Sequence, residues 1–192
     1  MYASTTTNDV PDRRPVVIHY VEEEGMELAI SQDKDGIPFM VEGIIHGPPI
    51  SKPSPRVCKN GHVYNPLRGE MAKAKTQIRS MLEPTGLLNG SHGTVFANED
   101  IPLKLSVKYM MPRPLSEFVG GDRDNNLKST ARHPHSVAAK DGDNLTKYLQ
   151  DIFTGSIYPD DKQVCAWDMD KSLDNNLRCE GKTVFKIEEK PW

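Results

Sequence analysis

The chain has 192 residues, 36% of them hydrophobic and 27% charged, with a formal net charge of −3, which is an ordinary composition for one folded domain. No apolar run approaches the roughly 20 residues that cross a bilayer, and the first residues lack the apolar core of a secretory signal. Three scattered cysteines exclude a disulfide framework and a cysteine-based zinc site, so we expect an intracellular protein without a membrane segment.

Residues 1–36 are predicted to be an acidic N-terminal tail or accessory segment, separate from a folded domain of residues 37–192. The first 40 residues carry eight acidic and three basic side chains. Low hydrophobicity and this acidic excess predict that the segment contributes little to the core.

Apolar periodicity predicts four strands and two helices in the rest of the chain. In the order strand, helix, strand, helix, strand, strand they cover residues 37–47, 67–82, 103–109, 144–154, 163–171 and 183–189. This order is typical of a small mixed sheet with helices packed on it, so we expect a mixed α+β fold.

A basic surplus lies before and within the first predicted helix. Residues 46–82 contain seven basic side chains and one acidic side chain. A surplus of this kind favours contact with phosphates, although a solvated helix face is the alternative.

Residues 110–140 form a polar stretch without periodicity, and connections of that length are typically functional or mobile. Its His133 and His135 are spaced like zinc ligands, but the sequence offers no third or fourth ligand nearby.

The segment KDGDNLTKYLQDIFTGSIYPDDKQV, residues 140–164, has acidic side chains before and after the second helix. Asp141 and Asp143 are two residues apart, so in an extended segment both carboxylates face the same way. Asp161 follows the helix and a turn. Spacing alone does not establish that Asp161 lies near Asp141 and Asp143. If the three carboxylates meet, they form a site of hard oxygen ligands for Mg²⁺ or Mn²⁺. Lys147, one turn after Asp143, is placed to stabilise the charge of a phosphate.

Simpler interpretations of the same residues stay open. Asp143 is a natural N-cap, Asp160 and Asp161 are typical turn residues, and Lys147 has the spacing of a helical ion pair with Asp143. The joint spacing of the two acidic pairs, together with the basic segments, favours a metal site over these separate roles.

The same segment resembles the signature of the RusA family of Holliday junction resolvases, in which D-x-D-N-L-x-K precedes a helix and a D-D-x-Q-V turn and strand. The matching residues are Asp141, Asp143, Asn144, Leu145, Lys147, Asp160, Asp161, Gln163 and Val164. Upstream, GPPISKPSPRVCKNGHVYNP is similar to the family's early segment, a strand followed by a Pro-rich basic loop and a G-x-x-Y-x-P turn. The resemblance extends over about residues 39–171.

The resemblance implies a homodimeric, Mg²⁺-dependent endonuclease that cuts four-way DNA junctions in recombination and repair. It implies that Asp141, Asp143 and Asp161 hold the metal, with Asp160 a weaker candidate, and that Lys147 is essential at the scissile phosphate. A two-fold enzyme suits a two-fold substrate, because it presents two metal sites to it.

We expect basic side chains from the loop, the first helix, the polar stretch and the following strand to contact the DNA backbone. They are Lys52, Arg56, Lys59, Lys73, Lys75, Arg123, Lys128, Arg132 and Lys171. The acidic segment 1–36 either competes with DNA for this surface or binds a partner protein. Two other functions stay open: a branched-DNA-binding module of the same fold that does not cut, and a nuclease for other branched or flap DNA.

Overall fold

The computed structural model describes residue 15 and residues 17–88, 90, 92–135, 140–174 and 180–190. Its strands are β1 (Val17–Glu23), β2 (Met26–Gln32), β3 (Pro38–His46), β4 (Arg56–Val57), β5 (Val63–Tyr64), β6 (Leu103–Met111), β7 (Val164–Leu173) and β8 (Lys182–Glu189). Its helices are α1 (Arg68–Leu82) and α2 (Gly142–Phe153), and short 3-10 turns cover Glu83–Thr85, Leu115–Glu117, Val119–Gly121 and Asp161–Gln163. No helix in these ranges has the length and apolar content needed to cross a membrane.

Six strands form one mixed sheet in the order β1-β2-β3-β8-β6-β7, and β4 and β5 form a separate two-stranded hairpin. Neighbouring strands of the large sheet are antiparallel, except β6 and β7, which are parallel. A parallel pair needs a crossover connection, and α2 lies in it. α2 therefore runs back along the sheet, from the end of β6 toward the start of β7.

The core lies between the two helices and one face of the large sheet. Leu145, Leu149 and Ile152 recur at helical spacing along α2 and are buried. Phe153, the last residue of α2, contacts Phe185 of β8 with ring centroids 4.6 Å apart. The predicted fold, a small mixed sheet with two helices packed on it, is confirmed.

The N-terminal hairpin β1–β2 belongs to this sheet, so the predicted poor contribution to the core is wrong for residues 17–32. Met26, Leu28 and Ile30 alternate along β2 and are buried, because alternate residues of a strand share one face. The boundary predicted after residue 36 falls in the turn between β2 and β3, within the sheet. The rest of the acidic segment, residues 1–14 and 16, lies outside the described residues.

Candidate active site

The acidic pair lies at the N-terminus of α2. Asp141 is the N-cap residue, with extended backbone angles (φ −68°, ψ 129°), and Asp143 is the second residue of the helix. The interpretation of Asp143 as the N-cap is therefore wrong. The Asp141 side chain makes no capping hydrogen bond, and both side chains are exposed. The positive end of the helix dipole favours negative charge at this position.

Three hydrogen bonds hold the backbone that carries the pair. The ammonium group of Lys171 on β7 donates to the carbonyl of Lys140 at 2.6 Å. The Lys140 ammonium donates in turn to the carbonyl of Pro49, and the N–H of Lys52 donates to the carbonyl of Asn144 at 2.9 Å. The start of α2 is thus tied to the end of β7 and to the basic loop. The sequence did not reveal these bonds, because each joins segments far apart along the chain.

Gly142 lets the first turn of α2 approach β7 closely. A Cβ atom at this position would lie 2.6 Å from the sulfur of Met169, well inside van der Waals contact. The hydroxyl of Thr146, one turn later, is 3.7 Å from the same sulfur. The Tyr109 hydroxyl on β6 donates to Thr146 at 3.3 Å, and burial raises the pKa of Tyr109 to about 12, so it remains a protonated donor.

Lys147 forms an ion pair with Asp143, and its Nζ lies 2.8 Å from the Asp143 Oδ2. Both side chains are more than half exposed, so the pair contributes little to stability. The i, i+4 pairing that the spacing suggested is observed. It keeps an ammonium group beside the acidic pair, at a place that solvent and ligands reach.

Asp161 lies at the other end of α2. It begins the 3-10 turn Asp161–Gln163, which leads into β7. Burial first, and the nearby charge of Asp161 second, raise the pKa of Tyr158, whose hydroxyl donates to the carbonyl of Gln150 in the last turn of α2 at 3.4 Å. Because α2 has 12 residues, it rises about 18 Å between the two sites.

Asp160 has the turn role that the sequence suggested as an alternative. Its Oδ1 accepts the N–H of Lys162 at 2.9 Å, and it is the N-cap of the 3-10 turn. This backbone hydrogen bond is the main cause that lowers the pKa of Asp160. Asp161, next along the chain, is exposed.

The three predicted metal ligands do not converge within one chain. The described residues contain no group of three or more His, Cys, Asp or Glu side chains arranged to hold a metal ion. Oxygen ligands of Mg²⁺ lie about 2.1 Å from the ion, and the length of α2 separates Asp161 from the other two by several times that distance. Asp141 and Asp143 offer hard oxygen donors of the kind that Mg²⁺ takes, as an incomplete set.

The histidine pair of the polar stretch is equally incomplete as a zinc site. The rings of His133 and His135 have centroids 5.7 Å apart, and the Nδ1 of His135 lies 3.9 Å from a carboxylate oxygen of Asp170. No three-ligand group forms around them in the described part of the chain.

The predicted DNA-binding side chains divide into two groups. Six are bonded to other groups of the protein: Lys52 to Asp151, Lys75 to the Thr154 carbonyl, Arg123 to the Arg113 carbonyl, Lys128 to the Ser116 carbonyl, Arg132 to Glu117, and Lys171 to the Lys140 carbonyl. The other three, Arg56, Lys59 and Lys73, are exposed and form no ion pair within the described ranges. Arg56 lies in the β4–β5 hairpin, Lys59 at its tip and Lys73 on α1.

The polar stretch 112–135 is organised around a buried arginine. The Arg113 side chain is 1% exposed and donates to the carbonyls of Asp174 at 2.9 Å and Arg132 at 2.8 Å. It also pairs with Glu117 at 2.6 Å, and Glu117 accepts a further bond from Arg132. Burial acts to raise the pKa of Glu117, but the hydrogen bonds from the two arginines outweigh it and lower the pKa. Arg132 therefore helps to hold this stretch together.

β7 is an edge strand with exposed apolar side chains. It lies at one end of the large sheet and carries Trp167 and Met169, which are 56% and 45% exposed. Exposed apolar side chains beside unpaired backbone groups are typical of an interaction surface. The sequence signal for this edge, alternating apolar residues, cannot distinguish a core face from an interface.

A concavity of about 560 Å³ lies on the sheet face opposite the helices, and Glu42, Lys186 and Asp168 are among the residues that line it. None of the predicted site residues contributes to it. The concavity is on the other side of the sheet from the acidic pair, so we do not assign the chemistry to it.

A comparison with protein families supports the resemblance seen in the sequence. A family model described as Endodeoxyribonuclease RusA matches residues 46–180, more than half of the chain. The match includes α1, α2, the acidic pair, Asp161 and the β4–β5 hairpin, whereas β1, β2 and β8 lie outside it. No curated protein matches the chain.

Proposed function

The chain belongs to the RusA family of endodeoxyribonucleases, and on this basis we propose that it resolves four-way DNA junctions by Mg²⁺-dependent phosphodiester hydrolysis as a homodimer. Membership of the family implies a nuclease that acts on branched DNA. The metal, the dimer and the role of each residue are parts of the proposal. The observation that carries them is the exposed acidic pair with Lys147 at the N-terminus of α2. A location inside the cell, with the DNA, follows from the substrate.

The acidic pair fits a hard divalent cation. Mg²⁺ binds through one or two carboxylates and substrate phosphates, keeping several waters, and Mn²⁺ accepts the same oxygen donors. The carboxylate of Asp141 is not used to cap α2, and that of Asp143 is exposed. When bound, the ion polarises the phosphoryl group and supplies hydroxide for attack.

Lys147 stabilises the negative charge that develops on the scissile phosphate, because its exposed ammonium group lies beside the acidic pair. Lys171 holds the carbonyl of Lys140, one residue before Asp141, so its role is to position the pair rather than to contact DNA. Exposed basic side chains on the hairpin and α1 contact phosphates and make binding sensitive to salt. They are Arg56, Lys59 and Lys73.

A second copy of the chain supplies the missing ligand. β7 is exposed at the edge of the sheet, and two such edges pair antiparallel around a two-fold axis. Pairing centred on Ala166 sets Asp161 of one copy level with Lys171 of the other, since each lies five residues from the centre. This dimer also removes Trp167 and Met169 from water.

The paired edges bring Asp161 of one copy toward the acidic pair of the other. Lys171 is bonded to the carbonyl of Lys140, the residue before Asp141. The acidic pair therefore lies at the same height along β7 as Lys171. Each of the two sites then consists of Asp141 and Asp143 from one copy and Asp161 from its partner. The distance along α2 that separates these residues within a chain supports this arrangement.

The substitution Asp143→Asn tests the site. We expect it to abolish cutting of a synthetic four-way junction in Mg²⁺, while junction binding is kept or tightened, because a ligand is lost and repulsion of the phosphates falls. Asp35→Asn, in the turn between β2 and β3, is the matched control and should cut like the wild type. Normal cutting by Asp143→Asn would refute the assignment.

The choice of DNA substrate separates the proposal from its alternatives. Preferred cutting of a four-way junction over flap and linear duplex DNA supports a junction resolvase. Equal or better cutting of the flap indicates a nuclease for other branched DNA. Binding of the junction without a nick at any Mg²⁺ or Mn²⁺ concentration indicates a module that binds branched DNA without cleaving it.

A further inference from the structure

The β4–β5 hairpin is exposed along its whole length, since every residue from 54 to 64 is exposed. Its tip is closed by two backbone bonds, from the N–H of Cys58 to the carbonyl of His62 at 2.8 Å and from the N–H of Gly61 to the carbonyl of Cys58 at 2.9 Å. Gly61 has a φ of 80°, which residues with a Cβ rarely adopt. The hairpin is therefore a tightly turned element that extends into solvent.

The hairpin has an apolar face and a face with a basic and an aromatic side chain. Val57 pairs with Val63 across the strands, and Arg56 pairs with Tyr64. Successive residues of a strand point to opposite sides, so the two pairs lie on opposite faces. Val57 is 67% exposed and Val63 is 58% exposed. Two exposed valines side by side form an apolar surface that no other element of the described chain covers.

The segments before and after the hairpin both approach α2, at its first turn and at its middle. Before the hairpin, the N–H of Lys52 donates to the carbonyl of Asn144 at 2.9 Å. After it, α1 begins at Arg68, and the charge of Glu70 in its first turn adds to burial, the main cause, in raising the pKa of Tyr148 on α2. The segment that leads into the hairpin is thus bonded to the first turn of α2, which carries the acidic pair.

We propose that Val57 and Val63 form a wedge that inserts between bases at the branch point of a DNA junction and unstacks them. Apolar side chains inserted between base steps unstack and kink DNA. Arg56 and Lys59 supply phosphate contacts on the same hairpin, and the exposed ring of Tyr64 offers a surface on which an unstacked base stacks. The inference rests on the proposed function and deepens it, since the cost of unstacking is lowest where pairing is already interrupted.

The wedge is tested with the double substitution V57S/V63S in the full-length chain. A four-way junction carries 2-aminopurine at the branch point, or in the middle of one arm as a control, and Asp143→Asn is present throughout to prevent cutting. We expect the unsubstituted hairpin to raise fluorescence at the branch point alone, and V57S/V63S to abolish that rise. With Asp143 restored, V57S/V63S should cut the junction about tenfold more slowly or worse, as expected from the loss of a base contact, with unchanged affinity for linear duplex.

Two further variants separate loss of the wedge from loss of the fold. V57I/V63I keeps a large β-branched apolar pair and should retain both the fluorescence rise and the cutting rate. L115S/V119S replaces two other exposed aliphatic side chains, which are 52% and 51% exposed, and should change neither the fluorescence rise nor the cutting rate. An unchanged fluorescence rise in V57S/V63S, or an equal loss in L115S/V119S, overturns the wedge. Because fluorescence is read without cutting, this result is independent of whether the wild-type chain cleaves the junction.

Discussion

Two inactivating substitutions on different copies of the chain distinguish a composite site from a site within one chain. One copy carries Asp143→Asn and the other carries Asp161→Asn, and each homodimer alone is expected to be inactive. In the composite arrangement, a mixed dimer has one site with both substitutions and one site with neither. We therefore expect the mixed dimer to recover activity that neither parent has.

The size of the recovery follows from the symmetry. A mixed dimer isolated with two different affinity tags has one intact site of two, so it should nick DNA at about half the wild-type rate. Unselected mixing of the two chains gives about half mixed dimers, and hence about one quarter of the wild-type nicking. A site built within one chain predicts no recovery, because each copy of the mixed dimer then carries one damaged site.

In this structure one ion cannot bind both Asp143 and Asp161 of the same copy, so a composite site and a site within one chain exclude each other. Asp143 and Asp161 lie at opposite ends of α2, which has 12 residues and a rise of about 18 Å, whereas ligands of one Mg²⁺ are held about 2.1 Å from the ion. Rotation of side chains cannot close that gap.

The assay uses a supercoiled plasmid with an extruded cruciform, incubated with the purified mixed dimer in Mg²⁺. One active site produces nicked circles, and two coordinated sites produce linear DNA, so we expect nicked circles to dominate. The D35N/D161N mixed dimer is the control: it keeps one intact site under either arrangement and should nick DNA at about half the wild-type rate. An inactive mixed dimer, with both parent dimers folded and able to bind the junction, would refute the reasoning about β7 pairing.

Two predictions concern the fold itself. Leu28→Ala should lower the free energy of unfolding by about 2–5 kcal/mol, measured in a single cooperative urea transition, because Leu28 is fully buried. The control is Ile18→Ala on the neighbouring strand. Because Ile18 is 60% exposed, this substitution should change the free energy of unfolding by no more than about 0.5 kcal/mol. Glu117 has a folded pKa below its ordinary value of 4.5, so the stability it contributes is present above that value and is lost as pH falls through the folded pKa. Glu117→Gln should therefore lower the melting temperature at neutral pH, and its difference from the wild type should shrink on acidification; a constant difference would contradict the role of the carboxylate.

The sequence alone was enough to predict the helices and strands whose apolar pattern lies within a short segment of the chain. Helical spacing of Leu145, Leu149 and Ile152 predicted α2, and alternation predicted β6, because a buried side imposes a fixed period on residues that are close along the chain. The contribution of β1–β2 to the core was missed because the composition of this segment is acidic, although Met26, Leu28 and Ile30 alternate along β2. Composition averages over both faces of a strand, whereas burial depends on one of them.

The contact between Asp143 and Lys147 could also be predicted from nearby residues, since one turn of a helix is enough to bring the two side chains to 2.8 Å. The position of Asp161 relative to them could not be predicted in this way. β6 and β7 are parallel, and the crossover between parallel strands must return from the end of the first strand to the start of the second. α2 makes that return, so residues before the helix and residues before β7 lie at opposite ends of the sheet however close they are in sequence. The direction in which two strands pair is a property of the whole sheet, and only the tertiary structure decided it.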